Sequence, residues 1–221
     1  MPVIGALLFQ LSACATATGT QPLIDLSAQS PEVRLDIRYA TAENFTGRRV
    51  TGYHAPKCLL HAPVAKALAD VDQGLRSRGY ALIVYDCYRP TAAVADFMRW
   101  AADSADQSSK AAYYQNLDKS ELVPDYIADK SGHSKGATVD VGLLDCRSGA
   151  CVPVDMGTPF DFFGLQANTD YPGLTPQQKQ HRRQLLDAMS AQGFVNYPLE
   201  WWHFTWKAGG LPDIAYDFPI E

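Results

Sequence analysis

Two short stretches of this sequence hold residue types that bind a catalytic metal ion. His133 and Asp140 lie in the first stretch, separated by six residues that include Gly136. Glu200 and His203 lie in the second, near the other end of the chain. Two imidazoles and one carboxylate can hold a zinc ion with an open position for water, and a further carboxylate can handle the protons of that water. Together the stretches predict a catalytic zinc site.

Each stretch also has a simpler interpretation. His133 and Asp140 alone fit a loop histidine and a solvated aspartate, because this spacing is a weak motif. Glu200 and His203 fit an edge glutamate and a histidine packed among tryptophans. Residues three apart face opposite sides of an ideal strand, so we place Glu200 in the turn after Pro198 and His203 on the following strand. That arrangement would let Glu200 reach a water on a metal held by His203.

Short strands and helices must position these residues. Apolar and charged residues alternate from Val33 to Tyr39, which is typical of a half-buried strand. Helices are predicted over 63–78, from Thr91 onward and over 176–192. Further strands are predicted over 80–85, 138–144, 152–154, 194–197 and 202–206. The pattern predicts a single α+β domain, an antiparallel sheet with flanking helices, whose chemistry lies on strand ends and loops.

Composition narrows the functional class. The chain has 221 residues and a formal net charge of -5, with 47% hydrophobic and 19% charged residues. That length supports one substantial core. A chain with a negative net charge lacks the basic surface typical of nucleic-acid-binding proteins, so nucleic acid is not an expected partner. No apolar run reaches the roughly 20 residues of a membrane-spanning helix.

The N-terminal segment predicts an exported protein. Residues 1–13 carry no charged side chain, and Leu11-Ser12-Ala13-Cys14 resembles the lipobox of bacterial lipoprotein signals. We predict a signal peptide over 1–13, lipidation at Cys14, a tether over 14–21 and the catalytic domain over 22–221. The usual Lys or Arg at the start is missing, and a plain apolar terminus is the alternative.

The remaining four cysteines fit an oxidising compartment. Cys146 and Cys151 flank a turn-like sequence and predict one disulfide, which leaves Cys58 and Cys87 as the second pair. The alternative is four buried thiols. A zinc site built from four cysteines is disfavoured because the chain has no C-x-x-C pair.

These motifs resemble a known enzyme family. Ser131-x-His133-x-x-Gly136-x-x-x-Asp140 and Glu200-x-Trp202-His203 are similar to the motifs of the zinc D-alanyl-D-alanine peptidases. Tyr88-Arg89-Pro90 and Met156-Gly157-Thr158-Pro159-Phe160-Asp161 resemble the VanX-like D-Ala-D-Ala dipeptidase branch. The resemblance covers roughly residues 22–210 and implies the fold shared with the D-Ala-D-Ala carboxypeptidases and the hedgehog signalling domain. The four cysteines and the lipobox are not part of the shared motifs.

The resemblance assigns roles in the metal site. It implies His133, Asp140 and His203 as ligands of one Zn²⁺ per chain and Glu200 as the general base and then proton donor. Arg89 would stabilise the oxyanion of the tetrahedral intermediate, and its alternative role is a salt bridge with Asp86 that shapes the turn.

Further roles concern the substrate. Asp161 would bind the free ammonium group of a dipeptide, and its alternative is a turn residue beside Pro159. Ser131 would bind the substrate backbone or orient His133, with a loop-stabilising hydroxyl as the alternative. Asp86 would support the site from behind. His54, His61 and His181 lack a motif and are predicted not to be ligands, with His181 on an exposed helix face.

The implied activity is zinc-dependent hydrolysis of D-alanyl-D-alanine to two D-alanines in cell-wall peptide turnover, with a possible link to glycopeptide resistance. The expected location is the periplasm or cell envelope, with the membrane contacted only through a lipid on Cys14. One rival is a D,D-carboxypeptidase or peptidoglycan endopeptidase with the same zinc site. Another is a non-catalytic, zinc-stabilised binding lipoprotein, which the base Glu200 argues against because a structural zinc needs none.

Overall fold

The computed structural model describes residues 22–221. The predicted signal peptide, the predicted lipidation site Cys14 and the predicted tether lie outside this range. The strands are β1 (Ile24–Asp25), β2 (Arg34–Leu35), β3 (Leu59–Leu60), β4 (Tyr80–Asp86), β5 (Thr138–Asp145), β6 (Val152–Pro153), β7 (Phe194–Asn196) and β8 (His203–Trp206). The α-helices are α1 (Leu26–Gln29), α2 (Ala62–Arg76), α3 (Thr91–Ala102), α4 (Lys110–Tyr113) and α5 (Pro176–Ser190). Short 3-10 helices lie at Arg38–Ala40, Lys119–Glu121, Gly132–Lys135 and Leu165–Ala167.

A mixed sheet forms the centre of the molecule. Its strand order is β2-β4-β5-β8-β7, and β6 pairs with β5 as the return arm of a hairpin. The pairs among β4, β5, β8 and β7 are antiparallel. The predicted antiparallel sheet is wrong at one edge, where β2 pairs parallel with β4. The crossover through α2 lies between these two strands, and such a connection permits parallel pairing.

The predicted strand over Val33–Tyr39 is shorter in the structure. Only Arg34 and Leu35 pair with β4, although the amide of Asp36 still donates to the carbonyl of Val84 at 2.8 Å. The chain then turns through a 3-10 helix that buries Tyr39. The alternation nevertheless identified the inward residues, because Val33, Ile37 and Tyr39 are all buried.

Two long helices cover the sheet. Helices α2 and α5 contact each other, with α2 on β4 and α5 on β5 and β7. Val64, Leu68, Val71 and Leu75 form the buried face of α2, as their spacing predicts. Thr175 caps α5 by accepting from the amide of Gln178, whose side chain returns the bond. None of the helices in residues 22–221 is both long and apolar enough to span a membrane.

Candidate metal centre and active site

The metal centre lies where three central strands meet. Asp140, near the start of β5, is paired directly with His203, the first residue of β8. On the other side of β5, Asp140 is paired with Asp86, the last residue of β4. Paired residues on neighbouring strands project to the same face of a sheet. The pairing therefore places two candidate ligands and one supporting carboxylate together.

Three potential ligand atoms converge at this point. His133 Nε2 and His203 Nδ1 are 3.3 Å apart, and Asp140 Oδ1 lies 3.3 Å from the first and 3.2 Å from the second. Tetrahedral coordination at 2.0–2.1 Å separates neighbouring ligand atoms by about 3.3–3.4 Å. Asp140 Oδ1 is buried and receives no hydrogen bond of acceptable geometry from the described residues. This donor set and spacing fit a zinc ion, and it is the group of metal-ligand type found among residues 22–221.

His133 is held in one tautomer. It lies in the 3-10 helix Gly132–Lys135, where the hydroxyl of Ser131 accepts from its amide at 3.3 Å. Its Nδ1 is 2.7 Å from the carbonyl oxygen of Cys87, which can only accept. The proton must therefore be on Nδ1, so that the lone pair of Nε2 faces the metal position.

Glu200 lies in the turn before β8, where the spacing argument placed it. Its amide donates to the carbonyl of Tyr197 at 3.0 Å, and its carbonyl accepts from the side chain of Asn196. Its Oε2 is 3.4 Å from His203 Nδ1, so the carboxylate reaches the ligand cluster. Burial raises the pKa of Glu200 to about 7, against the lowering effect of His203. A buried carboxylate beside the open side of a metal is suited to accept and return a proton.

The position of Arg89 is compatible with both of the roles predicted for it. Its guanidinium pairs with Asp86 at 2.9 Å, as the turn-shaping alternative requires. The same Nη2 lies 3.5 Å from Asp140 Oδ2, and the side chain lines the cavity in front of the ligands. The rings of Tyr39 and Phe97 lie 5.1 and 5.0 Å from the guanidinium carbon. Arg89 is therefore a fixed positive charge at the edge of the site.

Asp161 is a further buried carboxylate in the cavity lining. It has a φ of 62°, and both carboxylate oxygens accept from the hydroxyl of Tyr39 at 3.0 Å. Burial, together with the nearby charge of Asp140, raises the pKa of Asp161 well above its usual value, while Arg89 lowers it. An incoming cation would relieve that desolvation. Asp161 lies in a turn, as the alternative interpretation predicts, and it also lines the cavity, where the carboxylate could pair with an ammonium group.

One cavity joins these groups. It has a volume of about 230 Å³ and is lined by Tyr39, Arg89, Ser131, Asp140, Asp161, Glu200 and His203. Asp86 lies behind it, where its carboxylate pairs with Arg89 and accepts from the hydroxyl of Tyr53. Tyr39 and Tyr53 were missed by the sequence reasoning, although Tyr39 is an inward residue of the alternating stretch.

The remaining predicted residues lie outside the cavity. His181 was expected on an exposed helix face, which is wrong: it is buried, and its Nδ1 donates to the carbonyl of Asp155 at 2.8 Å. This hydrogen bond joins His181 on α5 to the loop that contains Asp155. The structure pairs Cys58 with Cys87 and Cys146 with Cys151.

Comparisons with known proteins identify the family of this chain. Residues 19–221 match the peptidase M15 family, described as D-ala-D-ala dipeptidase. The D-alanyl-D-alanine dipeptidase of Enterococcus faecium is 37% identical over 190 residues, 86% of this chain and 93% of the relative. That of Streptomyces coelicolor is 36% identical over 189 residues, 85% and 93% of the two chains. The D-alanyl-D-alanine dipeptidase of Escherichia coli is 31% identical over 203 residues, which are 90% of this chain and 92% of the relative.

A solved structure with a weaker likeness is the vancomycin resistance D,D-pentapeptidase VanY in complex with Zn(II). It has 16% identity and a TM-score of 0.40, over 67% of this chain and 73% of that one. The sequence matches span nearly all of the described domain, including both motifs of the metal centre. The chain belongs to the peptidase M15 family of D-Ala-D-Ala dipeptidases.

Proposed function

We propose that this protein hydrolyses D-alanyl-D-alanine to two D-alanines with one zinc ion per chain. The observation that carries the proposal is the convergence of His133, Asp140 and His203 beside Glu200, in a cavity that also holds Arg89 and Asp161. Three metal ligands with a separate base are the arrangement of a catalytic rather than a structural zinc site.

The chain's own residues divide the work of peptide hydrolysis. A bound zinc ion supplies Lewis acidity, which polarises the scissile carbonyl and acidifies water. Glu200 takes a proton from the attacking water and passes it to the leaving amine as the C–N bond breaks. Arg89 places a fixed positive charge in the cavity where the carbonyl oxygen becomes negative. Asp140 and Asp86 hold that guanidinium in place.

Asp161 and Tyr39 support specificity for a dipeptide. Asp161 and the hydroxyl of Tyr39 are buried and face the same cavity as Glu200. A free dipeptide carries an ammonium group that can pair with this carboxylate, whereas a longer stem peptide has a neutral amide at that position. The cavity of about 230 Å³ fits a small substrate.

The first test is D-alanine release from D-Ala-D-Ala by the full chain loaded with zinc. Glu200→Gln should lower kcat by about a hundredfold to ten-thousandfold, the usual range for a general acid–base residue. Glu43→Gln is the matched control, since Glu43 is exposed and does not line the cavity. Zinc content measured in both variants separates loss of the base from loss of the metal. An inactive parent that binds zinc would contradict the proposal.

Asp161 distinguishes the dipeptidase from a D,D-carboxypeptidase. We compare D-Ala-D-Ala with its N-acetylated form, which lacks the ammonium group. The parent should prefer the free dipeptide, and Asp161→Asn should reduce that preference by about a hundredfold or more, because a desolvated charge pair is lost. Hydrolysis of a stem pentapeptide in preference to the dipeptide would favour the carboxypeptidase.

We also propose an envelope location for this activity. The paired cysteines support it, because disulfides persist in oxidising compartments. The lipobox-like sequence before Cys14 supports a lipid anchor. An exported dipeptidase would meet dipeptide released from peptidoglycan, which favours a recycling role. Fractionation of cells that express the parent or Cys14→Ser tests the anchor: only the parent should remain with the membrane.

A further inference from the structure

We propose that the Cys58–Cys87 disulfide positions the metal ligand His133, by fixing the main-chain carbonyl that receives the proton of its imidazole. This inference rests on the proposed metal-dependent function. It gives the disulfide a role in the metal centre in addition to its role in stability.

The link between the disulfide and the ligand is direct. The carbonyl oxygen of Cys87 lies 2.7 Å from His133 Nδ1, and both residues are fully buried. This bond fixes the tautomer and the ring orientation of His133. Outer partners of this kind are usually carboxylates or carbonyls, and losing one typically weakens metal binding by about 10–100-fold.

The segment that carries this carbonyl leaves the regular sheet just before Cys87. The pairing of β4 with β5 shifts register between Val84 and Asp86, and Cys87 lies beyond the end of β4. The peptide unit that carries this carbonyl makes one main-chain hydrogen bond, in which the amide of Tyr88 donates to the carbonyl of Leu59 at 3.1 Å; the next amide, that of Arg89, donates to the carbonyl of His133 at 3.3 Å. The disulfide therefore adds a covalent restraint to a peptide unit that the central sheet does not pair.

The other end of the disulfide is well anchored. Cys58 precedes β3, and its carbonyl accepts from the amide of Leu26 at 2.8 Å. The next residue, Leu59, pairs with Asp25 in the small sheet of β1 and β3. Cys58 and Cys87 are 0% and 1% exposed, so the bond is enclosed in the core. The disulfide thus connects a fixed part of the core to the segment that orients His133.

The second disulfide supplies an internal control. Cys146 and Cys151 close the turn between β5 and β6, and Cys151 is exposed. Neither residue lines the cavity or bonds to a candidate ligand. A purely stabilising role for both disulfides predicts that removing either one lowers thermal stability and leaves metal affinity unchanged.

The experiment compares Cys58→Ala/Cys87→Ala with Cys146→Ala/Cys151→Ala in the full chain. Zinc affinity is measured without substrate, by competition with a chromophoric chelator. The first double variant should bind zinc at least about tenfold more weakly than the parent, and the second should stay within about twofold. Equal affinities in the parent and the first double variant would overturn the inference.

Two further measurements keep the inference testable if that double variant does not fold. Cys58→Ser breaks the covalent bond and leaves Cys87 and its carbonyl in place, so the same affinity comparison applies. In the metal-free parent, nitrogen-15 NMR of the histidine side chains should show His133 protonated at Nδ1. Protonation at Nε2 instead would overturn the inference.

The readouts separate this inference from the proposed function. Zinc affinity and the His133 tautomer do not depend on substrate turnover. If the parent fails to cleave D-Ala-D-Ala but Cys58→Ala/Cys87→Ala binds zinc more weakly than the parent, only the dipeptidase assignment is refuted. An active parent whose first double variant binds zinc normally would refute only the role of the disulfide.

Discussion

The two ends of β5 differ in how far their charged side chains are exposed to solvent. At the start of the strand, Asp140 is buried against Asp86 and the two histidines. At the other end, Asp145 is half-buried and forms an ion pair with Arg147, whose side chain is 60% exposed. The same strand therefore carries a desolvated carboxylate cluster at one end and a solvated ion pair at the other.

This contrast indicates at which end of β5 a bound cation would be stabilising. Asp86, Asp140, Asp161 and Glu200 are all buried near one another, and Arg89 is the guanidinium among them. Buried like charges are costly unless a cation compensates them. The far end needs no such compensation, because Asp145 is only half-buried and its carboxylate pairs with Arg147. Matched substitutions at the two ends can test the difference.

The largest expected effect is on metal binding. Asp140→Asn removes a charged ligand, so zinc affinity should fall by more than the roughly 10–100-fold that losing an outer partner costs, and turnover should fall with it. Asp145→Asn should change turnover by less than about twofold, since exposed ion pairs contribute little. Chelator competition and D-alanine release measure both variants. Similar losses in the two variants would contradict the contrast.

Glycine substitutions extend the comparison to the backbone. Gly136 has a φ of 68°, and an added Cβ would lie 2.5 Å from a methyl group of the buried Leu23. Gly149 has a φ of 94° with open space around the added Cβ. We expect Gly136→Ala to cost about 3–4 kcal/mol and Gly149→Ala about 1–2 kcal/mol in free energy of unfolding. Urea denaturation checks the order, and equal costs would show that Leu23 moves aside.

Zinc should stabilise the folded protein by binding at the end of β5 that carries Asp140. At a free zinc concentration one hundred times Kd, mass action adds about 2.7 kcal/mol to the free energy of unfolding. The melting temperature of the parent should rise accordingly, and that of Asp140→Asn should not. Asp145→Asn serves as the control that retains the response. A rise of equal size in the Asp140 variant would place the stabilising metal elsewhere.

The smallest effect concerns alkaline pH. Burial raises the pKa of Tyr85 to about 12, and its ring stacks on Phe160 near the site end. The unfolded phenol ionises near its ordinary pKa of about 10, so the folded state retains the proton longer. The contribution of this pKa difference to the free energy of unfolding is fully present below about pH 10 and is lost as the pH rises through about 12. Between these values the parent should lose about 2–3 kcal/mol more than Tyr85→Phe in urea denaturation. Parallel pH profiles would contradict this assignment.

The sequence predicted the elements of the site better than the contacts between them. The turn–strand arrangement of Glu200 and His203 followed from the period of two along a strand. The spacing also located β4, β5 and the long helices to within a few residues. It could not reveal the parallel pairing of β2, because register and direction depend on tertiary packing. The contact of the Cys87 carbonyl with His133 could not be predicted either, because a main-chain carbonyl is present at every residue and leaves no pattern in the sequence.

The direct pairing of Asp140 with His203 has a consequence for folding. Side chains alternate between the two faces of a strand, so a slip of one residue between β5 and β8 would turn His203 away from Asp140. The slipped sheet could not assemble the three-ligand group. A metal ion bound by these three residues would therefore stabilise the native strand register over a register shifted by one residue.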